Sequence, residues 1–222
     1  ASTSTNVAST SVSVTGGTVY GSVYGGGEDG HVMGNAVTSI SQATGKTTTI
    51  GCDGKSGYDG NVFGGGQGSS TALTAGVVGG SVTLNIQGGS MSGSVYGGGR
   101  VASVGTYFAM AKIPDPDDAT KEIDNPLYGK MQDDTNTETH GHLTVNLTGG
   151  TIGQNVYGGC MGTTDGATPK QFGISKNVIV KLNEGLANTA KGCVVKGDIF
   201  GCNNVNSSPQ GTVEVNIYAT QN

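Results

Sequence analysis

The sequence predicts an all-β chain: a parallel β-helix (β-solenoid), right-handed, with one long loop insertion. Three observations predict it. First, valine or isoleucine, then tyrosine or phenylalanine, then a near-glycine triplet recur five times: Val23-Tyr24-Gly25-Gly26-Gly27, Val62-Phe63-Gly64-Gly65-Gly66, Val95-Tyr96-Gly97-Gly98-Gly99, Val156-Tyr157-Gly158-Gly159-Cys160 and Ile199-Phe200-Gly201-Cys202-Asn203. Second, strands of alternating apolar and polar residues precede these phrases. Third, the phrases are spaced 39, 33, 61 and 43 residues apart. A β-solenoid accommodates such swings because extra residues leave at a corner without disturbing the stacked strands. Repeats of this kind bury their apolar faces only against neighbours. Right-handedness follows from the crossover preference of parallel strands.

Taken in order, the alternating strands are Val12-Ser13-Val14-Thr15-Gly16-Gly17, Val82-Thr83-Leu84-Asn85-Ile86-Gln87-Gly88-Gly89, Leu143-Thr144-Val145-Asn146-Leu147-Thr148-Gly149-Gly150, Val178-Ile179-Val180-Lys181-Leu182 and Val213-Glu214-Val215-Asn216-Ile217. A two-residue period fits a strand with one buried and one solvated face. Just before each aromatic phrase comes a glycine and then Ser, Asn or Asp: Gly21-Ser22, Gly60-Asn61, Gly93-Ser94, Gly153-Gln154-Asn155 and Gly197-Asp198. These read as corners, since Gly reaches backbone angles closed to other residues and Asn and Asp tolerate them best among the rest. The wide gaps leave room for degenerate coils lacking the phrase.

Composition agrees with a narrow core. Glycine supplies 42 of 222 residues, charged residues 12%, aromatics 5%, and there is no Trp. Disorder also produces glycine-rich chains, but it does not place β-branched residues at every second position. By length the chain is one domain, 1–222, with an insertion at 100–142. A net charge of −5 without a basic cluster argues against nucleic acid as a partner. No apolar run is long enough to insert in a membrane as a helix, and Ala1–Asn6 reads as a processed or cut terminus. Abundant Thr, Ser, Asn and Gly suits an extracellular or cell-surface location.

Stacking the phrases in register places Val23, Val62, Val95, Val156 and Ile199 in one ladder and Tyr24, Phe63, Tyr96, Tyr157 and Phe200 in another. Strands lie ~4.8 Å apart, close enough for offset ring stacking. Strand neighbours point to opposite faces, so the aliphatic ladder is expected inside and the aromatic one outside. The aromatic ladder then either packs beneath the long loops or forms a sugar-stacking stripe through Tyr24, Tyr96 and Tyr157.

The cysteines are Cys52, Cys160, Cys193 and Cys202. Cys160 and Cys202 occupy neighbouring positions on successive phrases, so a Cys160–Cys202 disulfide is expected in an exported protein. Cys193–Cys202 is the other local pairing, and buried free thiols are the third possibility. No C-x-x-C occurs, which removes the usual zinc spacing.

The insertion contains Pro114, Pro116 and Pro126 and eight of the sixteen acids: Asp115, Asp117, Asp118, Glu122, Asp124, Asp133, Asp134 and Glu138. Asp115, Asp117 and Asp118 offer hard oxygen ligands for calcium; otherwise this is a solvated acidic loop, and no other cofactor is indicated. His140 and His142 are spaced to share a strand face, where a third ligand would complete a metal site. Glu28-Asp29-Gly30-His31 and Cys52-Asp53-Gly54 read as corner turns. Asn146-Leu147-Thr148 and Asn206-Ser207-Ser208 fit the N-glycosylation sequon.

The composite pattern V-x-V-N-I-x-G-G-x-I-x-G-x-V-Y-G-G-G, carried best by residues 82–99 and 143–159, resembles the glycine-rich repeats of large surface proteins from Bacteroidetes-type bacteria. It is also broadly similar to the β-helical passengers of secreted adhesins. The resemblance covers most of the chain outside 100–142, with departures at Cys160, Cys202 and Asn203. It implies an exported, cell-surface or matrix role and carries over no catalytic residue. No G-x-S-x-G, H-E-x-x-H or phosphate loop is present. The expected function is a non-enzymatic structural protein, a β-solenoid unit of a fibre or adhesin that self-associates end to end through uncapped coils, unless the chain is a piece of a longer solenoid. The alternatives are a glycan-binding β-helix and a polysaccharide lyase or hydrolase, with an ice-binding β-helix a remote fourth.

Overall fold

The computed structural model describes residues 7–51, 60–107, 112–132, 140–187 and 191–220. In chain order its strands begin with β1 (Thr10–Val14), β2 (Gly17–Val19), β3 (Val23–Tyr24), β4 (Ala36–Ile40), β5 (Thr48–Ile50) and β6 (Val62–Phe63). There follow β7 (Val82–Met91), β8 (Val95–Tyr96), β9 (Lys112–Pro114), β10 (Glu122–Asp124) and β11 (Leu143–Ile152). The last five are β12 (Val156–Tyr157), β13 (Val178–Leu182), β14 (Val194–Val195), β15 (Ile199–Phe200) and β16 (Val213–Ile217). The described residues are all-β apart from a short 3-10 turn at Pro169–Gln171, and the long sheets are parallel, an arrangement compatible with a β-solenoid.

Three parallel stacks run side by side. The long strands pair in the order β1-β4-β7-β11-β13-β16. Their registers align Val12, Thr38, Leu84, Val145, Val180 and Val215 in one column and Val14, Ile40, Ile86, Leu147, Leu182 and Ile217 in the next. These columns face the core, and those between them carry Ser13, Ser39, Asn85, Asn146, Lys181 and Asn216 outward. The second stack is β15-β12-β8-β6-β3, the five aromatic phrases. The third is a row of single parallel bridges, Val7 to Val32, Val32 to Val78 and Val78 to Val104. We call one long strand with its phrase and returning segment a rung.

The alternating pattern forms strands because it buries one face cleanly: Val82, Leu84 and Ile86 are at most 1% exposed, while Thr83 and Asn85 between them are half-buried. After the long strand the chain must bend, and the glycine pair does this. Gly17, Gly89 and Gly150 have φ of 85°, 84° and 84°, angles that strain any residue with a Cβ. β7 and β11 run through the bend, the latter with register shifts at Gly149. Past it, Val19, Ile50, Met91, Ile152 and Val195 form a further inward column.

The glycine triplet does a different job. A Cβ built on Gly158 would lie 2.6 Å from Val178 Cγ1 and 2.8 Å from Val180 Cγ2, and one on Gly97 would lie 2.8 Å from Val145 Cγ2. The triplet therefore lets one wall close directly onto the valines of the other. That contact explains how so few large side chains suffice for a core.

Three expectations change. Each phrase pairs directly with the next, Val23 to Val62, Val62 to Val95, Val95 to Val156 and Val156 to Ile199, so the described residues hold no degenerate coil in the gaps. The strand β4 had no sequence signal: its inward residues are Ala36, Thr38 and Ile40, and Gln42-Ala43 stands where the glycine pair would fall. Thr38 is tolerated in the core because its hydroxyl donates to Gly64 O at 3.4 Å. Finally, Arg100–Val104 belongs to the rung and not to the insertion. Val101 N–H donates to Gln67 O at 2.9 Å, and Val104 bridges Val78. The excursion leaves at Gly105 and returns at Gly141, both left-handed, and contains the antiparallel hairpin β9–β10.

Candidate functional site

The two ladders of the aromatic phrase lie on opposite faces. Val23, Val62, Val95 and Val156 join the main core, with Ile199 packed against its edge. The rings form a separate cluster. Tyr24–Phe63 and Phe63–Tyr96 stack with centroids 4.7 Å apart, Tyr96–Tyr157 at 5.0 Å and Tyr157–Phe200 at 5.1 Å, all within 13° of parallel. The spacing is the strand spacing, so register alone sets the stack.

Burial removes the sugar-stacking stripe. Phe63, Tyr96 and Tyr157 are 0%, 4% and 8% exposed, Tyr24 is half-buried, and only Phe200, at 43%, is open. Tyr96 Oη accepts from Asn204 Nδ2 at 3.3 Å and Tyr157 Oη from Asn155 Nδ2 at 3.1 Å. Burial raises the Tyr96 phenol above its ordinary range. An interior Tyr column whose hydroxyls are already bonded is packing, not a landing surface for a pyranose ring.

The corner residues do something their sequence did not reveal. Asn61 N–H donates to Ser22 Oγ at 3.2 Å, Ser94 N–H to Asn61 Oδ1 at 2.7 Å, Asn155 N–H to Ser94 Oγ at 3.3 Å and Asp198 N–H to Asn155 Oδ1 at 2.9 Å. Each side chain thus accepts the main-chain amide of the next rung. A partial second ladder links Asn35 to Ser81, Ser81 to His142 and Asn177 to Thr212. The preceding glycines are required by sterics: a Cβ on Gly93, Gly197, Gly80 or Gly211 would fall on the carboxamide oxygen of Asn61, Asn155, Asn35 or Asn177. Of the five phrase corners only Gly60 has a positive φ. Backbone angle, the reason read from the sequence, is the minor one.

The Cys160–Cys202 disulfide is not formed; Cys160, Cys193 and Cys202 are all free. The register explains why. Gly159 N–H donates to Cys202 O, and Cys160 N–H donates to Asn203 Oδ1 at 2.8 Å. Cys202 therefore stacks on Gly159, one residue off Cys160. Cys160 is buried against Ala102 O and Cys202 is exposed. Burial pushes the thiols of Cys160 and Cys193 up to about 12. Cys52 and Asp53 lie outside the described residues.

In the insertion, Asp115 Oδ1 accepts from Asp117 N–H at 2.9 Å. Asp118 Oδ1 accepts from Thr120 N–H and Oγ1 at 3.1 and 2.6 Å, and its Oδ2 lies 2.9 Å from Lys121 Nζ. Bonds to Thr120 and Lys121 hold the Asp118 carboxyl below its ordinary range. These acids close turns of an exposed hairpin. Among the described residues no group of three or more His, Cys, Asp or Glu is placed to hold a metal, and His140 and His142 gain no third ligand there. Asp133, Asp134 and Glu138 lie outside the described residues. Asn146 sits mid-sheet with its Nδ2 donating to Asn85 Oδ1 at 2.9 Å, and Asn206 Nδ2 donates to Thr163 O at 3.1 Å.

The described residues also line polar recesses. One, of about 400 Å³, lies on the outward face of the long sheet, between Asn85, Asn146 and the Lys181–Glu184 pair at 2.9 Å. Another, of about 570 Å³, follows the glycine triplets and gathers Glu28, Asp29, Gln67, Arg100, Thr163 and Asp165. The sequence had offered Glu28 and Asp29 only as a turn and Arg100 only as a boundary.

The described residues thus define an all-β, parallel-stacked protein with polar grooves and a buried aromatic ladder. No family model matches the chain, and neither does any curated protein or solved structure. None of its described helices is long and apolar enough to cross a membrane, which leaves strand-built spans unaddressed.

Proposed function

We propose that this chain is a non-enzymatic structural protein of the cell surface or extracellular space, a right-handed β-solenoid whose units stack end to end. The observation that carries it is the state of β16. Val178, Val180 and Leu182 are 2%, 0% and 6% exposed, whereas Val213, Val215 and Ile217, at the same register one rung later, are 37%, 39% and 57% exposed. Among the described residues β16 pairs only with β13, and apolar residues in a core column on such an edge make a surface that a further rung, of the same polypeptide or of a second unit, would cover. The corner ladders add a direction. Each rung offers side-chain acceptors to the next, so the β16 end presents exposed Asp198 and Thr212 to the amides of a following rung. Where the covering rung comes from a second unit, this polarity favours head-to-tail stacking, which does not close and grows into a filament. Outward columns of Ser, Thr and Asn suit such a surface.

Negative-stain electron microscopy of the purified chain, with and without calcium, tests this. Thin fibres whose width matches one solenoid are expected, and Val215→Lys should leave short, folded rods. Dispersed rods from the unmodified chain at high concentration would overturn the reading.

A further inference from the structure

The residue after each glycine triplet builds a column of its own. Gln67 N–H donates to Gly27 O and Arg100 N–H donates to Gly66 O, both at 2.9 Å, which sets Glu28, Gln67 and Arg100 on successive rungs. Gln67 Nε2 donates to Glu28 Oε1 at 3.4 Å. Asp29 lies beside Glu28, Ser69 and Ser70 follow Gln67, and the loop of the fourth rung adds Thr163 and Asp165. Thr163 Oγ1 accepts Asp165 N–H at 2.9 Å, which fixes that loop's turn. The groove so lined is about 570 Å³, within the range of small-ligand sites. Arg100 is the single arginine of the 222-residue chain.

We propose that this groove is a recognition site for a neutral oligosaccharide. The lining mixes acceptors (Glu28, Asp29, Asp165), donors (Arg100, Gln67) and hydroxyls that do both (Ser69, Ser70, Thr163), with Ala72 and Val101 as small apolar floor. An anionic ligand would face three carboxylates, and a cationic one would face the guanidinium. A polyol matches the mixture, because each hydroxyl donates to a carboxylate and accepts from arginine or glutamine. Arg100 carries five N–H groups, so pairing with one neighbouring carboxylate leaves donors for a sugar. Three successive rung spacings of ~4.8 Å give the groove length along the stack, which fits a short oligosaccharide better than a single sugar. The inference is independent of end-to-end stacking.

The test is isothermal titration and saturation-transfer NMR on the whole chain with neutral gluco-, galacto-, manno-, xylo- and N-acetylhexosamine oligosaccharides. Spermidine and oligogalacturonate serve as the cationic and anionic probes. Binding of at least one neutral series is expected, weakened about tenfold or more by Arg100→Ala and by the isosteric Asp165→Asn, since each removes a charge-assisted hydrogen bond. Asn146→Ala, in the other groove, should leave it unchanged. The proposal is overturned if no neutral series binds at millimolar concentration, if only a charged probe binds, or if neutral binding survives both groove variants in folded protein.

Discussion

Asn61 Oδ1 accepts the main-chain N–H of Ser94 at 2.7 Å, across 33 residues of sequence and one rung of the stack. Both residues are buried, at 6% and 4% exposure. Asn61→Ala should therefore leave an unsatisfied buried amide and cost about 1–3 kcal/mol. Asn61→Ser, which restores the acceptor used at Ser22 and Ser94, should cost less. Urea unfolding of the two variants checks the ladder; equal losses would mean that it contributes nothing specific.

A side chain and a glycine are matched in the same way at the base of the 184–192 loop. The three atoms nearest a Cβ on Gly192 would all belong to Asn183: it would strike Oδ1 and lie 2.5 Å from Cγ and 2.7 Å from Nδ2. Asn183 Oδ1 accepts Cys193 N–H at 2.7 Å. Gly192→Ala and Asn183→Ala should each destabilise, and the double variant should lose less than their sum, by about 0.5–3 kcal/mol.

Position in the aromatic ladder should set the cost of breaking it. Phe63→Ala, at a ring with no exposed surface, should cost about 3–5 kcal/mol. Phe200→Ala, 43% exposed at the end of the stack, should cost only a small fraction of that. Chemical denaturation of the two variants compares them directly.

Thiol reactivity should split by burial. With iodoacetamide at mildly alkaline pH, Cys202 should label in the native protein while Cys160 and Cys193 label only after unfolding, as peptide mapping would show. The same burial makes stability depend on pH. Both thiols have folded values near 12 against an ordinary 9.0, so above pH 9 the unfolded chain binds fewer protons than the folded one. Stability should then fall with rising pH between 9 and about 12. Cys160→Ala should flatten that fall.

The excursion between Gly105 and Gly141 should be removable. A Cβ on Gly105 would lie 2.6 Å from Gly141 N, so its two ends already touch. Replacing residues 106–140 with a short Gly-Asn turn should keep the circular-dichroism spectrum and change stability by about 1 kcal/mol, since closure entropy varies slowly with loop length.

What was legible in the chain was whatever repeats locally. The alternation in Val82–Ile86 and Leu143–Leu147 reports a buried face, and the five aromatic phrases report a common register. Their parallel order and the separation of valine from ring follow from those alone. β4 was not legible, because Ala36 and Thr38 are core residues only beside Leu84 and Gly64. The candidate groove was hidden for a related reason. Glu28, Gln67, Arg100 and Asp165 are far apart in sequence and share no motif, and stacking alone makes them neighbours. The cysteines show the limit most sharply: Cys160 and Cys202 fall on successive phrases, but they sit one residue out of register, Cys160 buried and Cys202 exposed. Period and composition determined the strands, since burying one face needs only local alternation. The stack decided which side chains meet, because every contact that carries an acceptor, a stack of rings or a groove crosses from one rung to the next.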